Sequence, residues 1–232
     1  MNNMKNLAVI ALFAILADQD VNAQSSFENL NFEDANPISA GNPDPYLVTA
    51  ASALPDWSVY DTGVQQTEII YNGISTGATA VTLVGTADAY VQPIDGNFSV
   101  ILQGIVPGSS ISISQTGLIP AGTQSLLFEA QPVLVPIGGP GPLELLVGTQ
   151  VVPFAAVESE PGYTVYGANL SAWAGQTERI SFLASGGTYS NWELDDISFS
   201  TNVVASPEPN IVALSAIGGL LFGARKWLAR RS

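Results

Sequence analysis

Through the middle of the chain, short β-branched and aromatic runs are cut off by Gly, Pro, Asn or Asp. Eight of them stand out: Thr79 to Val84, Phe98 to Gln103, Ser109 to Ser114, Ser125 to Gln131, Leu143 to Val147, Tyr163 to Leu170, Glu178 to Leu183 and Trp192 to Ser200. No long segment keeps the 3.6-residue period of an amphipathic helix. Strands at this spacing, separated by turn residues, predict an all-β antiparallel sandwich rather than a parallel sheet with crossover helices. The run Pro136 to Pro142 predicts a connecting loop; it is no phosphate cradle, because neither a helix nor a Lys follows it. No internal repeat is evident.

The two ends break the pattern. Lys5 precedes an apolar run from Leu7 to Ala17 and a more polar stretch ending Val21-Asn22-Ala23. This order predicts a secretory signal peptide over residues 1–23, cut between Ala23 and Gln24, where compact side chains at Val21 and Ala23 fit the peptidase. The run is too short to span a membrane, and the competing reading is a buried core helix. At the other end Ser206-Pro207-Glu208-Pro209 leads into an apolar stretch from Ile211 to Ala224, then Arg225, Lys226, Arg230 and Arg231. Fourteen helical residues reach roughly 21 Å against a hydrocarbon core of ~30 Å. Spanning therefore needs the helix to continue through Trp227 and Leu228, with Arg225 and Lys226 reaching toward headgroups. The positive-inside rule leaves the basic end in the cytoplasm and the body outside, the orientation that a signal peptide also predicts.

A Pro-Glu-Pro box, one short apolar helix and a terminal basic cluster, in that order over residues 206–232, resemble the PEP-CTERM sorting signal of bacterial exopolysaccharide-associated proteins. The resemblance implies an exosortase-type membrane protease as partner. Pro207, Glu208 and Pro209 would form the recognition box, and Arg225, Lys226, Arg230 and Arg231 the stop-transfer end. The prolines favour an extended entry and block upstream growth of the helix. A plain anchor that is never cut is the alternative.

Composition narrows the chemistry. The 232 residues contain no His and no Cys, and the net charge is -14. Without imidazole or thiol there is no Ser-His-Asp triad, no Cys nucleophile, no disulfide and no zinc site of the usual nitrogen and sulfur ligands. Four of the six basic residues fall in the last eight positions, so residues 24–205 hold seventeen acids against Arg179 alone, a net charge of -16. Such a body repels phosphate backbones, which argues against nucleic acid, and attracts cations. An aromatic fraction of 9% and an apolar fraction of 47% describe a folded domain, not an acidic tail.

Within the body, Asn31-Phe32-Glu33, then Pro55-Asp56-Trp57, Ile111 to Gln131, Asn169 to Thr177 and Leu194 to Ser198 occur in an order similar to that of extracellular jelly-roll domains. The body resembles the carbohydrate-binding-module, galactose-binding-like group, which shares its shape with MAM-type adhesion domains. This resemblance implies a jelly-roll β-sandwich and a structural Ca2+ tying the first strand to the last. Glu33, Asp195 and Asp196 are the matching positions. A hard cation wants several oxygens, and alternation along a strand would send only one of Asp195 and Asp196 toward it. Solvated acids at strand ends are the alternative.

Sugar binding on such a fold uses exposed rings that stack on pyranose faces. Trp173, Tyr166 and Trp192 are the leading candidates, with Tyr163, Tyr90 and Tyr46 behind them, while Trp57 reads as core. Each ring has a competing core role. Arg179 is expected to pair with Glu178 or another acid. Glu158, Glu160 and Glu193 are available for a glycosidase pair, but no spacing indicates a cleft between them. The expectation is an exported, non-enzymatic surface or matrix protein, transiently anchored in the inner membrane, whose ectodomain binds carbohydrate, possible exopolysaccharide included, or mediates adhesion. The competing expectation is a purely structural biofilm protein without a discrete ligand site; a carboxylate glycoside hydrolase comes third.

Overall fold

The structure, a computed structural model, describes residues 26–41, 44–75, 77–133, 141–186 and 190–204. The signal peptide with Ala23 and Gln24, and the whole tail with Pro207, Glu208, Pro209, Arg225, Lys226, Arg230 and Arg231, lie outside the described residues. Among the described residues no helix is long and apolar enough to cross a membrane.

Among the described residues fourteen strands form in chain order: β1 (Leu47–Thr49), β2 (Ser58–Asp61), β3 (Val64–Gln66), β4 (Glu68–Tyr71), β5 (Ala80–Gly85), β6 (Phe98–Gly104), β7 (Ser110–Leu118), β8 (Ser125–Pro132), β9 (Leu143–Val147), β10 (Gln150–Val152), β11 (Phe154–Glu160), β12 (Tyr163–Asn169), β13 (Thr177–Ser185) and β14 (Ser190–Ser200). They build two sheets. Eight strands run in the order β1-β4-β5-β6-β14-β8-β12-β11, and six in the order β10-β9-β13-β7-β2-β3. From β6 onward the chain crosses repeatedly from one sheet to the other, and β14 closes the larger sheet by entering between β6 and β8. The expected sandwich is therefore present. Among the described residues the pairing is parallel between β4 and β5, over two residue pairs, and at the isolated bridge of Ser26 with Leu118.

Alternation along the strands decides what is buried. On β8 Leu126, Phe128 and Ala130 point inward, and on β13 Ile180, Phe182 and Ala184 do the same. Phe128 is the hinge of the core. Its ring meets Phe182 of the opposite sheet at 5.0 Å and Phe154 at 5.2 Å, both edge to face, and stacks on Tyr166 at 5.6 Å. Trp57 is core as expected: its ring lies 5.7 Å from that of Phe32, and its indole N–H donates to the Asn29 carbonyl at 2.9 Å. Among the described residues the core and both sheets fall within the expected ectodomain, 24–205.

The N-terminal segment is sewn to this body by side-chain amides. Gln115 accepts the Glu28 N–H at 2.7 Å and donates to its carbonyl at 2.9 Å. The Asn29 side chain spans from the Pro55 carbonyl to the Asp34 N–H.

Candidate functional site

The outer face of the eight-stranded sheet is not bare. The connection from β5 to β6, residues 86–97, lies across it as a strap. Val91 of the strap packs on Val84, Ile101 and Val133 in a small second apolar cluster. The Asp88 carboxylate shapes the turn by accepting the N–H groups of Tyr90 at 2.7 Å and Val91 at 3.0 Å.

Acids from both ends of the body clamp the far end of the strap. Glu33 Oε1 accepts the N–H groups of Asn97 at 2.7 Å and Phe98 at 2.9 Å, and Oε2 accepts the Asn97 side-chain amide at 2.8 Å. Partial burial works to raise the Glu33 pKa, but these hydrogen bonds outweigh it and hold the group below its ordinary value. Gly96 has to be glycine here: its φ is +59°, and a Cβ would run into the Glu33 carboxylate. Asp195 Oδ2 accepts the Asp95 N–H at 3.1 Å, and Oδ1 accepts the Asp196 N–H at 2.9 Å. Burial, only partly offset by these bonds, pushes Asp195 up to about 8.

Strict alternation fails at this point. A bulge between Asp195 and Ser198 interrupts the pairing of β14 with β8, and Asp196 takes φ +41°, a left-handed conformation that Asp tolerates. Asp195 and Asp196 therefore do not part cleanly to opposite faces; Asp195 feels both Asp196 and Glu129. Partial burial, then the charges of Asp95 and Glu33, raise Asp196. Glu129 is raised by burial and then by Asp196, and its Oε2 is buried without a partner. Among the described residues no group of three or more acids is gathered closely enough to hold a metal ion. The donor chemistry is nevertheless that of a hard cation: carboxylate oxygens, mutual repulsion and no nearby base. Glu33 and Asp195 have their oxygens committed to N–H groups, which leaves Asp196 as the free carboxylate.

Glu193 sits beneath the strap. It is 0% exposed, its two oxygens are held by the Ser99 hydroxyl and by the Gln131 amide, and burial pushes it up to about 7. Glu158 and Glu160 lie on edge strand β11, separated from β14 in the same sheet by β8 and β12, so these acids do not face Glu193 across a cleft.

The rings sort in an order opposite to expectation. Trp192 is buried and donates its N–H to the Gly141 carbonyl at 2.8 Å; Tyr166 is wedged among Phe128, Phe154 and Trp192; Trp173, on a short 3-10 turn over Ser171–Trp173, packs against the core. All three serve the core. The presented rings are Tyr46 and Tyr90, 56% and 72% exposed. They flank a cleft of about 680 Å³ whose polar lining includes Asp44, Asn72 and Ser75. Asn72 spends its side-chain oxygen on the Gly85 N–H at 2.7 Å, which turns its amide donors elsewhere. Tyr90 also borders a second hollow of about 500 Å³, where Gln92, Gln131 and Tyr163 stand. Tyr90 is presented because Val91, its neighbour, is the strap's apolar anchor.

No protein-family model matches the chain, and no curated protein matches it. Among solved structures it is similar to the family 11 carbohydrate-binding module from Clostridium thermocellum in complex with a β-1,3-1,4-mixed-linked tetrasaccharide, at 7% identity and TM-score 0.36, over 69% of this chain and 97% of that one. It is also similar to the K2 cleaved adhesin domain of Lys-gingipain, at 13% identity and TM-score 0.44, over 73% and 95%. A third is the family 11 module of the cellulosomal cellulase Lic26A-Cel5E of Clostridium thermocellum, at 7% identity and TM-score 0.36, over 74% and 98%.

Proposed function

We propose that this chain is an exported bacterial surface or matrix protein whose sandwich is a non-catalytic carbohydrate-binding module. The observation that carries the binding role is the cleft between Tyr46 and Tyr90. Two exposed rings flank a polar-lined depression, an arrangement suited to stacking on sugar faces while Asp44 and Asn72 address hydroxyls. The signal-like N-terminus and the PEP-CTERM-like tail support export and sorting by an exosortase-type protease, with the C-terminal helix in the membrane before processing.

In this reading a structural Ca2+ sits at the acidic patch, with Asp196 as the direct carboxylate and Glu33 and Asp195 positioning the strap around it. The mutual repulsion of Asp95, Glu129 and Asp196 supports it.

Segment 24–205 applied to an array of bacterial and algal polysaccharides tests the binding role. Saturable binding to one glycan class, lost in Tyr46→Ala and Tyr90→Ala, is expected. A blank array from well-folded protein would favour a purely structural matrix role.

A further inference from the structure

The six-stranded sheet also has an outer face, and the chemistry there differs from that of the cleft. Along β7, Ile111 and Ile113 point into the core while Ser112 and Ser114 point out. Register sets these beside outward residues of the neighbouring strands: Tyr60 of β2 faces Ser112, Ser112 faces Leu183 of β13, and Ser114 faces Ser181. With strands about 4.8 Å apart, the group covers roughly 10 Å, on the scale of a disaccharide. Two residues along β13 from Ser181 stands Arg179, exposed, the only cation of the body. All six side chains line one depression of about 260 Å³.

Two features distinguish this face. Ser114 and Ser181 are only 5% and 9% exposed, yet both line the depression, so what they show to solvent is shown there. Arg179, in a body with seventeen acids, forms no ion pair among the described residues. The expected pairing with Glu178 fails because adjacent residues on a strand point opposite ways, and the Glu178 carboxylate lies by Gly148 instead.

We propose that this face is a second ligand surface, which takes a saccharide unit bearing one carboxylate. The guanidinium fork matches a carboxylate. Serine hydroxyls, both donors and acceptors, match sugar hydroxyls, and the Tyr60 ring with Leu183 offers an apolar patch for a sugar's C–H face. The body's charge of -16 repels a densely charged polyanion, so the carboxylate belongs to an isolated acidic sugar among neutral ones. The face lies on the opposite sheet from the Tyr46 and Tyr90 cleft and does not depend on it. With both surfaces working, one copy of the protein would hold two polysaccharide strands, so that avidity adds to modest single-site affinities.

The test is a nuclear magnetic resonance titration of segment 24–205, in which Arg179 gives the single arginine Nε–H signal. Three probes each carry one carboxylate or its blocked form: a glucuronosyl-galactose disaccharide, its methyl ester, and acetyl-Gly-Glu-Gly-amide. The disaccharide is expected to shift the Arg179 signal and the Ser112 and Ser181 amides saturably. The ester is expected to bind at least tenfold more weakly. Arg179→Gln and the pair Ser114→Ala with Ser181→Ala, whose folding the same spectra report, are expected to weaken binding similarly, whereas Tyr90→Ala leaves it unchanged. Equal binding of the ester, or unchanged affinity in either set of variants, overturns the site. Equal binding of the peptide assigns the face to an acidic protein segment and overturns the saccharide. No shift at 20 mM probe, a limit on the order of the weakest single-site affinities of interest, overturns the proposal entirely.

Discussion

Replacing Glu193 by Gln should stabilise the protein at high pH and change it little at low pH. The side chain is 0% exposed beneath the strap, held by Ser99 and Gln131, with the Asp88 charge nearby. Folding raises its pKa to about 7, against roughly 4.3 in an unfolded chain. As pH rises, the unfolded chain releases this proton first, so the folded state binds more protons across the interval and stability falls with pH. The fall begins near the unfolded value and levels off above the folded one. Integrated between pH 5 and pH 9, this single group removes about 2 to 3 kcal/mol. Asp195, pushed up to about 8, acts in the same direction and extends the decline. Gln cannot ionise, and its amide can serve Ser99 and Gln131 as the protonated acid does. Urea denaturation of segment 24–205, followed by tryptophan fluorescence with chelator present, measures this directly. Between pH 5 and 9 the variant should lose about 2 to 3 kcal/mol less than the parent. Parallel stability curves would show that Glu193 titrates normally and that the strap does not seal it from water.

Glu33→Gln should behave oppositely: the lowered pKa means that its contribution is present above the unfolded value and is lost on acidification. The variant should cost about 1 to 3 kcal/mol at neutral pH, and the difference should vanish in acid. Phe128→Ala, which empties the junction of four aromatic rings, should cost roughly 3 to 5 kcal/mol in the same denaturation assay. Calcium should raise the melting temperature of segment 24–205 and chelator should lower it; identical melts would remove the ion. Mass spectrometry of surface-extracted protein should find an N-terminus at Gln24 and loss of the apolar tail, and Glu208→Gln should retain that tail.

All eight strands expected from alternation are present, because each has at least one well-buried face: β5, β6 and β8 carry the buried runs that the pattern detects. The six missed strands have a common cause. β1, β3, β10 and β11 are the four sheet edges, and β2 and β4 are four-residue neighbours of edges. An edge strand such as Phe154–Glu160 is exposed for most of its length, so burial imposes no alternation on it. The acids at 33, 195 and 196 were legible as a meeting of the two chain ends. The engagement of Glu33 and Asp195 with the N–H groups of the 95–98 turn was not, since it depends on the strap's path and on a bulge that no local signal announces. The rings have a related explanation: Tyr166 and Trp192 lie within strand patterns and Trp173 on the turn that follows one, and in each case the ring packs on the core. Tyr46 and Tyr90 stand in irregular segments, where nothing in the pattern separates a presented ring from a covered one.

The most direct test of glycan binding without catalysis is calorimetric titration of an array-selected oligosaccharide into segment 24–205 and into its Tyr46→Ala, Tyr90→Ala double variant, with chromatography of the sugar afterwards. Saturable binding, weakened about tenfold or more in the double variant, with the oligosaccharide recovered intact, is the predicted result. Unchanged affinity in the double variant would dismiss the cleft, and a shortened oligosaccharide would make the protein an enzyme.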